Sequence, residues 1–380
     1  MSAGRIDQIL DGYADGDAIS REARTIRKIA VESGFDSAIY APSNAVAPDV
    51  KHDCLPSESY NGVKADRMIY HYSISSESTG VFLRAQARKI VRYHNITPAG
   101  YFEIFDPSLA ERLKEAREML KGVVASADGI CADSGFNAGE IVSAGGRNVF
   151  TVPLLYTLDE LSAGDIRDSL EKMKIERKMK NILFVGRIVP NKCVEELILS
   201  FAWLNKYIDS DTRLLLVGSD MSCPRYYSML RILAGGLMLQ NACFMSFVSE
   251  AQLAACYASA DVFVTASRHE GYCLPLIEAM CNGVPVIARS AGGMVEALGG
   301  AGVMFDDMDP KELGELLHAV MTDGALRQEI MDSQTRRLDE IKKDAEEAVN
   351  KVNRLSPEEQ KSQLKKLAPE LLERKESKKR

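Results

Sequence analysis

Two glutamates, Glu270 and Glu278, stand with seven residues between them at a predicted turn from strand to helix. The apolar run Ala260 to Ala266 before them is typical of a buried strand, and a helix is predicted to begin just before Glu278. In an open α/β sheet, ligands bind at the carboxyl ends of the strands. Gly271 lets the backbone approach a ligand closely, and free N–H groups at a helix start favour an anion. The stretch therefore predicts a site for a ligand that carries both hydroxyls and phosphates.

Two cations follow another predicted strand, Asn181 to Arg187, which ends in Gly186-Arg187 and is followed by Lys192. Arginine supplies a planar fork of donors and lysine a mobile point charge, a combination that suits a pyrophosphate. A pair of basic surface residues is the common alternative. We favour a phosphate site because Arg187 ends a buried strand instead of lying on a helix face.

The first half of the chain has its own strand ends with polar residues. A Gly/Asp-rich turn containing Gly16 and Asp17 follows the first predicted strand, although it is no GxGxxG fingerprint and an ordinary tight turn explains it equally well. His71 and His94 each come at the end of a predicted strand. A structural and a functional role remain equally open for a histidine in such a place.

The order of strands and helices predicts the architecture that would position these residues. Strands alternate with helices from Arg5 to Val152 and again from Asn181 to Ala288, which predicts parallel sheets with helices on both faces. At 380 residues, two domains are expected. We predict an α/β protein with two Rossmann-like domains, 1–165 and 166–330, and a charged helical tail over 331–380.

Composition excludes several classes of protein. The net charge is -7, which argues against nucleic-acid binding. The eight cysteines are scattered without a C-x-x-C pair, which favours a reducing cytoplasm over a zinc or disulfide scaffold. No apolar run is long enough to span a membrane, and the first residues lack a signal-peptide core. We expect a cytoplasmic protein.

These motifs together resemble the donor site of family-4 retaining glycosyltransferases of the GT-B fold, also called glycosyl transferases group 1. The resemblance is carried by Gly186-Arg187 with Lys192 and by the Glu-x7-Glu stretch, and it is strongest over about Asn181 to Leu317. Residues 16–20 and 93–98 also resemble bacterial and archaeal members. In that family two Rossmann-like domains face a cleft, the first binding the acceptor and the second a nucleotide-diphosphate sugar.

The resemblance implies a role for each residue. Arg187 and Lys192 would neutralise the departing diphosphate without a metal or cofactor, and front-face attack would retain the sugar's configuration. Glu278 would hold the ribose, Glu270 the donor sugar, and His94 would lie near the anomeric carbon. The implied contacts with the donor are completed by Gly16, Asp17, Gly186, Gly271, Tyr272, Cys273 and Leu274.

The chain also departs from the family pattern. Tyr272 and Cys273 stand where many relatives have an aromatic residue followed by glycine, so the sugar pocket is expected to differ. We found no counterpart for the charged segment Arg336 to Arg380, which we interpret as two helices, part of residues 334–352 returning to the first domain. A solvated helix or tail is the favoured interpretation, and binding to a partner or an anionic membrane surface is the alternative.

We therefore expect a hexosyltransferase that acts on a glycan or lipid-linked acceptor in cell-surface polysaccharide or glycoconjugate synthesis. A catalytically silent sugar-binding or scaffold protein, and a GT-B sugar phosphorylase or epimerase, are the alternatives. The nucleobase, sugar, acceptor and oligomeric state do not follow from the sequence.

Overall fold

The computed structural model describes residues 4–60, 67–154, 163–173, 175, 179–246 and 248–353, without side chains at 163–167 and 344–353. Two parallel sheets form two units, as predicted. The first unit contains β1 Arg5–Ile9, β2 Asp36–Ala41, β3 Leu55–Pro56, β4 Arg67–Tyr72, β5 Arg88–Tyr93, β6 Gly129–Ala132 and β7 Val149–Thr151. Its helices are α1 Ala18–Glu32, α2 Glu77–Arg84, α3 Pro107–Ala125 and α4 Gly135–Ser143.

The second unit repeats this plan. Its strands are β8 Lys180–Val185, β9 Thr212–Val217, β10 Ala242–Met245, β11 Val262–Thr265, β12 Val286–Arg289 and β13 Val303–Phe305. Its helices are α5 Ala163–Lys172, α6 Val194–Tyr207, α7 Pro224–Gly236, α8 Glu250–Ser259, α9 Leu274–Cys281, α10 Met294–Leu298, α11 Pro310–Thr322 and α12 Gly324–Asn353. Because α5 packs on α8, the predicted boundary at 165/166 falls inside a helix of this unit. The exact domain limits stay a prediction.

The strand order places the loops that matter. The first sheet runs β3-β2-β1-β4-β5-β6-β7 and the second β10-β9-β8-β11-β12-β13. In the first sheet, β2 and β3 are added on one side of β1 and the later strands on the other side. In the second sheet, β9 and β10 lie on one side of β8 and the later strands on the other. The strand order therefore switches between β1 and β4, and between β8 and β11. Ligands bind outside the carboxyl ends of strands at such a switch point.

Short polar signals begin the helices, and buried apolar faces hold them on the sheets. The side chain of Asp17 accepts from the Ser20 amide at the start of α1, and Ser76 and Thr79 form a capping box on α2. Tyr70, Tyr72 and Tyr93 are fully buried in the first sheet, so their large rings dominate its core.

The helix α12 contains the periodic part of the charged segment, residues 338–352. Its described hydrogen bonds go to the second unit: Gln334 bonds Val284 and Val286, and Arg337 bonds the carbonyls of Glu296 and Ala297. The expected return of part of residues 334–352 to the first domain stays a prediction. The predicted second tail helix lies outside the described residues. Among the described residues, no helix is both long and apolar enough to cross a bilayer.

Candidate active site

The predicted donor residues meet at the switch point of the second sheet. Gly186 and Arg187 follow β8, and residues 266–273 follow β11, the strand hydrogen-bonded next to β8. A turn of 3-10 helix at residues 190–192 then positions Lys192 before α6. The sheet order thus brings together two sequence segments that are about 80 residues apart.

Lys192 and Glu270 form a direct ion pair between these two loops. Their side chains are 13% and 11% exposed, so the pair is shielded from solvent yet reachable. Arg187 is exposed on the adjacent loop. The site therefore contains one neutralised lysine and one exposed arginine, and a phosphate must compete with Glu270 for Lys192.

The loop carrying Glu270 and Gly271 rests on two glycines that follow β12. A Cβ atom on Gly292 would lie 2.2 Å from the Glu270 carbonyl, and one on Gly293 would lie 2.0 Å from the Gly271 carbonyl. The Gly293 amide donates to the Glu270 carbonyl over 2.9 Å. The sequence analysis did not identify this pair of glycines, which packs against the carbonyl groups of Glu270 and Gly271. The signal was present, because two adjacent glycines in the loop after a predicted strand are compatible with close backbone approach.

Cys273 begins α9 in a strained conformation. Its φ is +70°, in the left-handed region that glycine adopts readily and other residues rarely do. The family resemblance implies a glycine at this position in many relatives, and the positive φ of residue 273 explains why a glycine would suit it. Burial raises the pKa of the Cys273 thiol well above its usual value, so the thiol stays neutral. Tyr272 is buried beside it, and Leu274 is the first residue of α9.

Glu278 lies inside α9 with only 4% exposure. The Tyr257 hydroxyl donates to Oε2 over 2.6 Å, and Arg21 of the first unit approaches Oε1 to 3.7 Å. The carboxylate is thus held by one residue of each unit.

Gly16 and Asp17 lie at the switch point of the first sheet, after β1. Gly16 has φ +74° and is exposed. The Asp17 carboxylate accepts from the Ser20 amide and hydroxyl, both over 2.9 Å. Asp17 therefore caps α1, and the predicted contact of this turn with the donor stays a prediction.

His94 is placed in a buried polar cluster at the carboxyl ends of β4, β5 and β6. Its Nδ1 lies 2.9 Å from Asp133, and its Nε2 lies 2.9 Å from Nδ1 of His71. Glu22 from α1 lies 3.7 Å from His94 Nε2, and Arg92 bridges Glu22 and Asp133. The side chain of His94 is 3% exposed. His71 and His94, the two histidines at predicted strand ends, are therefore in direct contact through their ring nitrogens.

The two units are in contact through the loop after β11, residues 266–273. Ser134 donates to the Gly271 carbonyl over 2.6 Å, and the His269 ring bonds the Asn95 side chain. The nearest atoms to a Cβ built on Gly271 belong to the first unit, among them the His94 carbonyl at 3.0 Å. The two units are therefore in direct contact at Gly271, which we call the closed arrangement.

Two doubly wound parallel sheets in contact at their switch points define the GT-B architecture of glycosyltransferases. The comparisons agree. Sucrose-phosphate synthase from Thermosynechococcus elongatus superposes with a TM-score of 0.68 at 17% identity, covering 88% of this chain and 94% of that one. HepE from Anabaena, solved with UDP and glucose, superposes with a TM-score of 0.65 at 17% identity, covering 91% and 100%.

Residues 165–338 match the model of the family Glycosyl transferases group 1. The D-inositol 3-phosphate glycosyltransferase of Geodermatophilus obscurus is 29% identical over 228 residues, 57% of this chain and 49% of that protein. The match thus spans about half the length of that curated relative. The second half of the chain, residues 165–338, is thus similar to glycosyl transferases group 1, the family that the sequence motifs resemble.

Proposed function

We propose that this protein is a retaining glycosyltransferase that transfers a hexosyl group from a nucleotide-diphosphate sugar to a glycan or lipid-linked acceptor. The observation that carries the proposal is the pairing of Lys192 with Glu270 beside Arg187 at the second switch point. Cations fixed next to a ligand crevice stabilise the charge that develops on a leaving diphosphate. Support for the donor class comes from HepE, a structural neighbour solved with UDP and glucose.

The residues would share the work as follows. Arg187 and Lys192 would neutralise the diphosphate without a metal, and Glu278 would accept the hydroxyls of the ribose. Glu270 would exchange its bond to Lys192 for hydroxyls of the sugar. We assign no side-chain nucleophile, because front-face attack lets the departing phosphate accept the proton of the acceptor hydroxyl.

The donor must enter from an open state, because Gly271 is already in contact with the first unit. Once it is bound, the Gly16-Asp17 turn and the loop after His94 would lie over it from the first unit. A cytoplasmic location and a lipid-linked acceptor at the membrane surface belong to the same proposal.

Binding of nucleoside diphosphates to charge variants tests the proposal. In calorimetric titrations with UDP, GDP and ADP, Arg187→Ala and Lys192→Ala should each weaken the preferred ligand about 10- to 100-fold, since a charged hydrogen bond contributes about 1.5–3 kcal/mol. Lys206→Ala is the matched control, because Lys206 is exposed at the other end of α6.

Glu270→Gln separates the two proposed roles of this residue. Without the carboxylate, Lys192 is free for phosphate, so the affinity for the diphosphate should stay equal or increase while sugar transfer falls. Unchanged affinity for the nucleoside diphosphate in both Arg187→Ala and Lys192→Ala would refute the assignment of these two residues to the diphosphate. Turnover that needs phosphate and no nucleotide would point to a phosphorylase instead, and activity that persists in EDTA would support metal independence.

A further inference from the structure

The polar cluster around His94 contains two facing ring nitrogens, and their arrangement requires a positive charge between them. Gln8 donates its Nε2 to the Ala23 carbonyl over 2.8 Å, so its Oε1 is left to accept from Nε2 of His71 over 3.0 Å. Nε2 of His71 therefore carries hydrogen. On His94, Nδ1 faces the Asp133 carboxylate, which accepts as well. With both outer nitrogens protonated, the two inner nitrogens would face each other as bare lone pairs.

These inner nitrogens, Nδ1 of His71 and Nε2 of His94, are only 2.9 Å apart. The ring planes differ by 4° and the centroids are 5.2 Å apart. Since a ring atom lies about 1.2 Å from its centroid, the nitrogens sit on the line between the rings and point head-on. Bare lone pairs in this geometry repel, so something positive lies between them.

A metal ion does not fit between the nitrogens, although Glu22 and both histidines place possible ligand atoms within 4.8 Å of one another. A transition metal needs about 2.0–2.1 Å to each nitrogen, and head-on nitrogens would then be about 4 Å apart. A proton fits a separation of 2.9 Å.

The charges of the described contacts also favour one proton. Glu22 and Asp133 are buried, and both contact the guanidinium of Arg92. The neighbouring Cys131 thiol has a raised pKa through burial and adds no charge. One imidazolium balances the set, whereas a divalent ion would leave it positive. Burial lowers the pKa of His71 well below its usual value, while Asp133 and Glu22 outweigh burial and raise that of His94.

We propose that Glu22, His71 and Asp133 are positioning residues that hold His94 as an imidazolium, and that this charge fixes the loop through which the two units meet. The next residue, Asn95, is buried with φ +79° and donates to Asn137 and Glu140. Its Oδ1 accepts from His269 across the units. Loss of the proton would leave repelling lone pairs and a net negative charge directly beneath that contact.

The proposal predicts a direction for pH. The charged pair is present below the raised pKa of His94 and is lost as the pH rises through it. Closure, and the glycosyl transfer that rests on the proposed function, should therefore weaken on the alkaline side.

Nitrogen NMR of the full chain, labelled with ¹⁵N-histidine, tests the charge independently of any activity. The five histidines are assigned by single substitutions. At pH 6.5, the ordinary pKa of histidine, most His94 should have hydrogen on both ring nitrogens and His71 on Nε2 alone. Glu22→Gln should lower the pH at which His94 becomes neutral by about one unit or more, whereas Glu22→Asp should restore most of the shift. A mostly neutral His94 at pH 6.5 in the wild type would overturn the proposal.

The ring shifts of His269 test the positioning role. They should change together with the titration of His94 in the wild type and at lower pH in Glu22→Gln. Asp7→Asn is the matched control: it removes a buried carboxylate paired with Arg5 in the same sheet and should leave both titrations unchanged. If His94 titrates while His269 does not respond, the positioning role is wrong. Absence of nucleotide binding at every pH would refute the proposed function and leave the NMR result standing.

Discussion

Gly271→Ala is a probe of contact between the two units, because its added methyl group meets atoms of the first unit. A Cβ there would lie 2.9 Å from Asn137 Nδ2, 3.0 Å from the His94 carbonyl oxygen and 3.1 Å from the Asn95 Cβ. These are the three nearest atoms, and two of them are held in place by backbone or by burial. The backbone of Gly271 lacks the positive φ that would disfavour alanine. The substitution should therefore destabilise the closed arrangement and leave the second unit intact.

The expected size follows from overpacking, which costs about 1–3 kcal/mol for an added methyl group that neighbours cannot avoid. Applied to the equilibrium between open and closed forms, this lowers the closed population about 5- to 150-fold relative to the open one. Transfer that requires closure should lose kcat/KM by a similar factor. The affinity for the nucleoside diphosphate should change less than about threefold, because Arg187 and Lys192 are untouched.

Small-angle X-ray scattering and transfer kinetics measure the two effects. Gly271→Ala should increase the radius of gyration, while its denaturant midpoint stays close to that of the wild type. Gly139→Ala is the control, since Gly139 lies in α4 of the same interface region and has no neighbour within 4 Å of an added Cβ. Wild-type compactness together with wild-type kcat/KM would refute the reasoning. An equal loss of diphosphate affinity would indicate local unfolding of the loop instead.

Three further substitutions test individual interactions by urea denaturation. Tyr257→Phe removes the buried hydrogen bond to Glu278 and should lower the free energy of unfolding by about 1–3 kcal/mol; no loss would mean that Glu278 is satisfied without it. Gln334→Ala removes two buried bonds to the backbone of Val284 and Val286 and should cost about 2–4 kcal/mol, with the exposed Gln328→Ala as a nearly silent control. Burial raises the pKa of Asp11 to about 6, so the folded state favours the neutral carboxyl: between pH 7 and pH 4 the wild type should gain about 2.5 kcal/mol relative to Asp11→Asn. A constant difference between these two proteins over that range would contradict the raised pKa.

The sequence was sufficient for the two-sheet plan and for placing the candidate donor segments at the ends of neighbouring strands, because both depend on local patterns. Alternating apolar strands and helices predict parallel sheets, and a glycine with cations after a strand identifies a ligand loop. Capping boxes at Ser76 and Asp309, which begin α2 and α11, are local signals of the same kind. The hydrogen bonds of Gln334 with the backbone of Val284 and Val286 were not predicted. They join residues about 50 positions apart, and no local pattern encodes such a pairing.

The polar cluster shows the limit of local reasoning most clearly. His71 and His94 were recognised as strand ends, but their partners Glu22 and Asp133 come from a helix and a loop that only the tertiary fold brings near. Glu22 looks like an ordinary charged residue of an amphipathic helix, and yet its side chain is 1% exposed. Whether a glutamate can be buried depends on neighbours that neutralise its charge, here Arg92, and the position of the glutamate in its helix does not reveal them.

The same principle applies to the two glutamates of the donor site. Each carboxylate has a cation beside it in the structure, Lys192 at Glu270 and Arg21 at Glu278. Hydroxyls of a donor would have to replace these cations, and the released lysine would then be available to the diphosphate. Donor binding would thus pair Lys192 with the diphosphate, while the hydroxyls donate hydrogen bonds to the two carboxylates. Because Arg21 comes from the first unit, the exchange at Glu278 also removes a bond between the units. Ribose binding at Glu278 would therefore weaken the contact between α1 and α9.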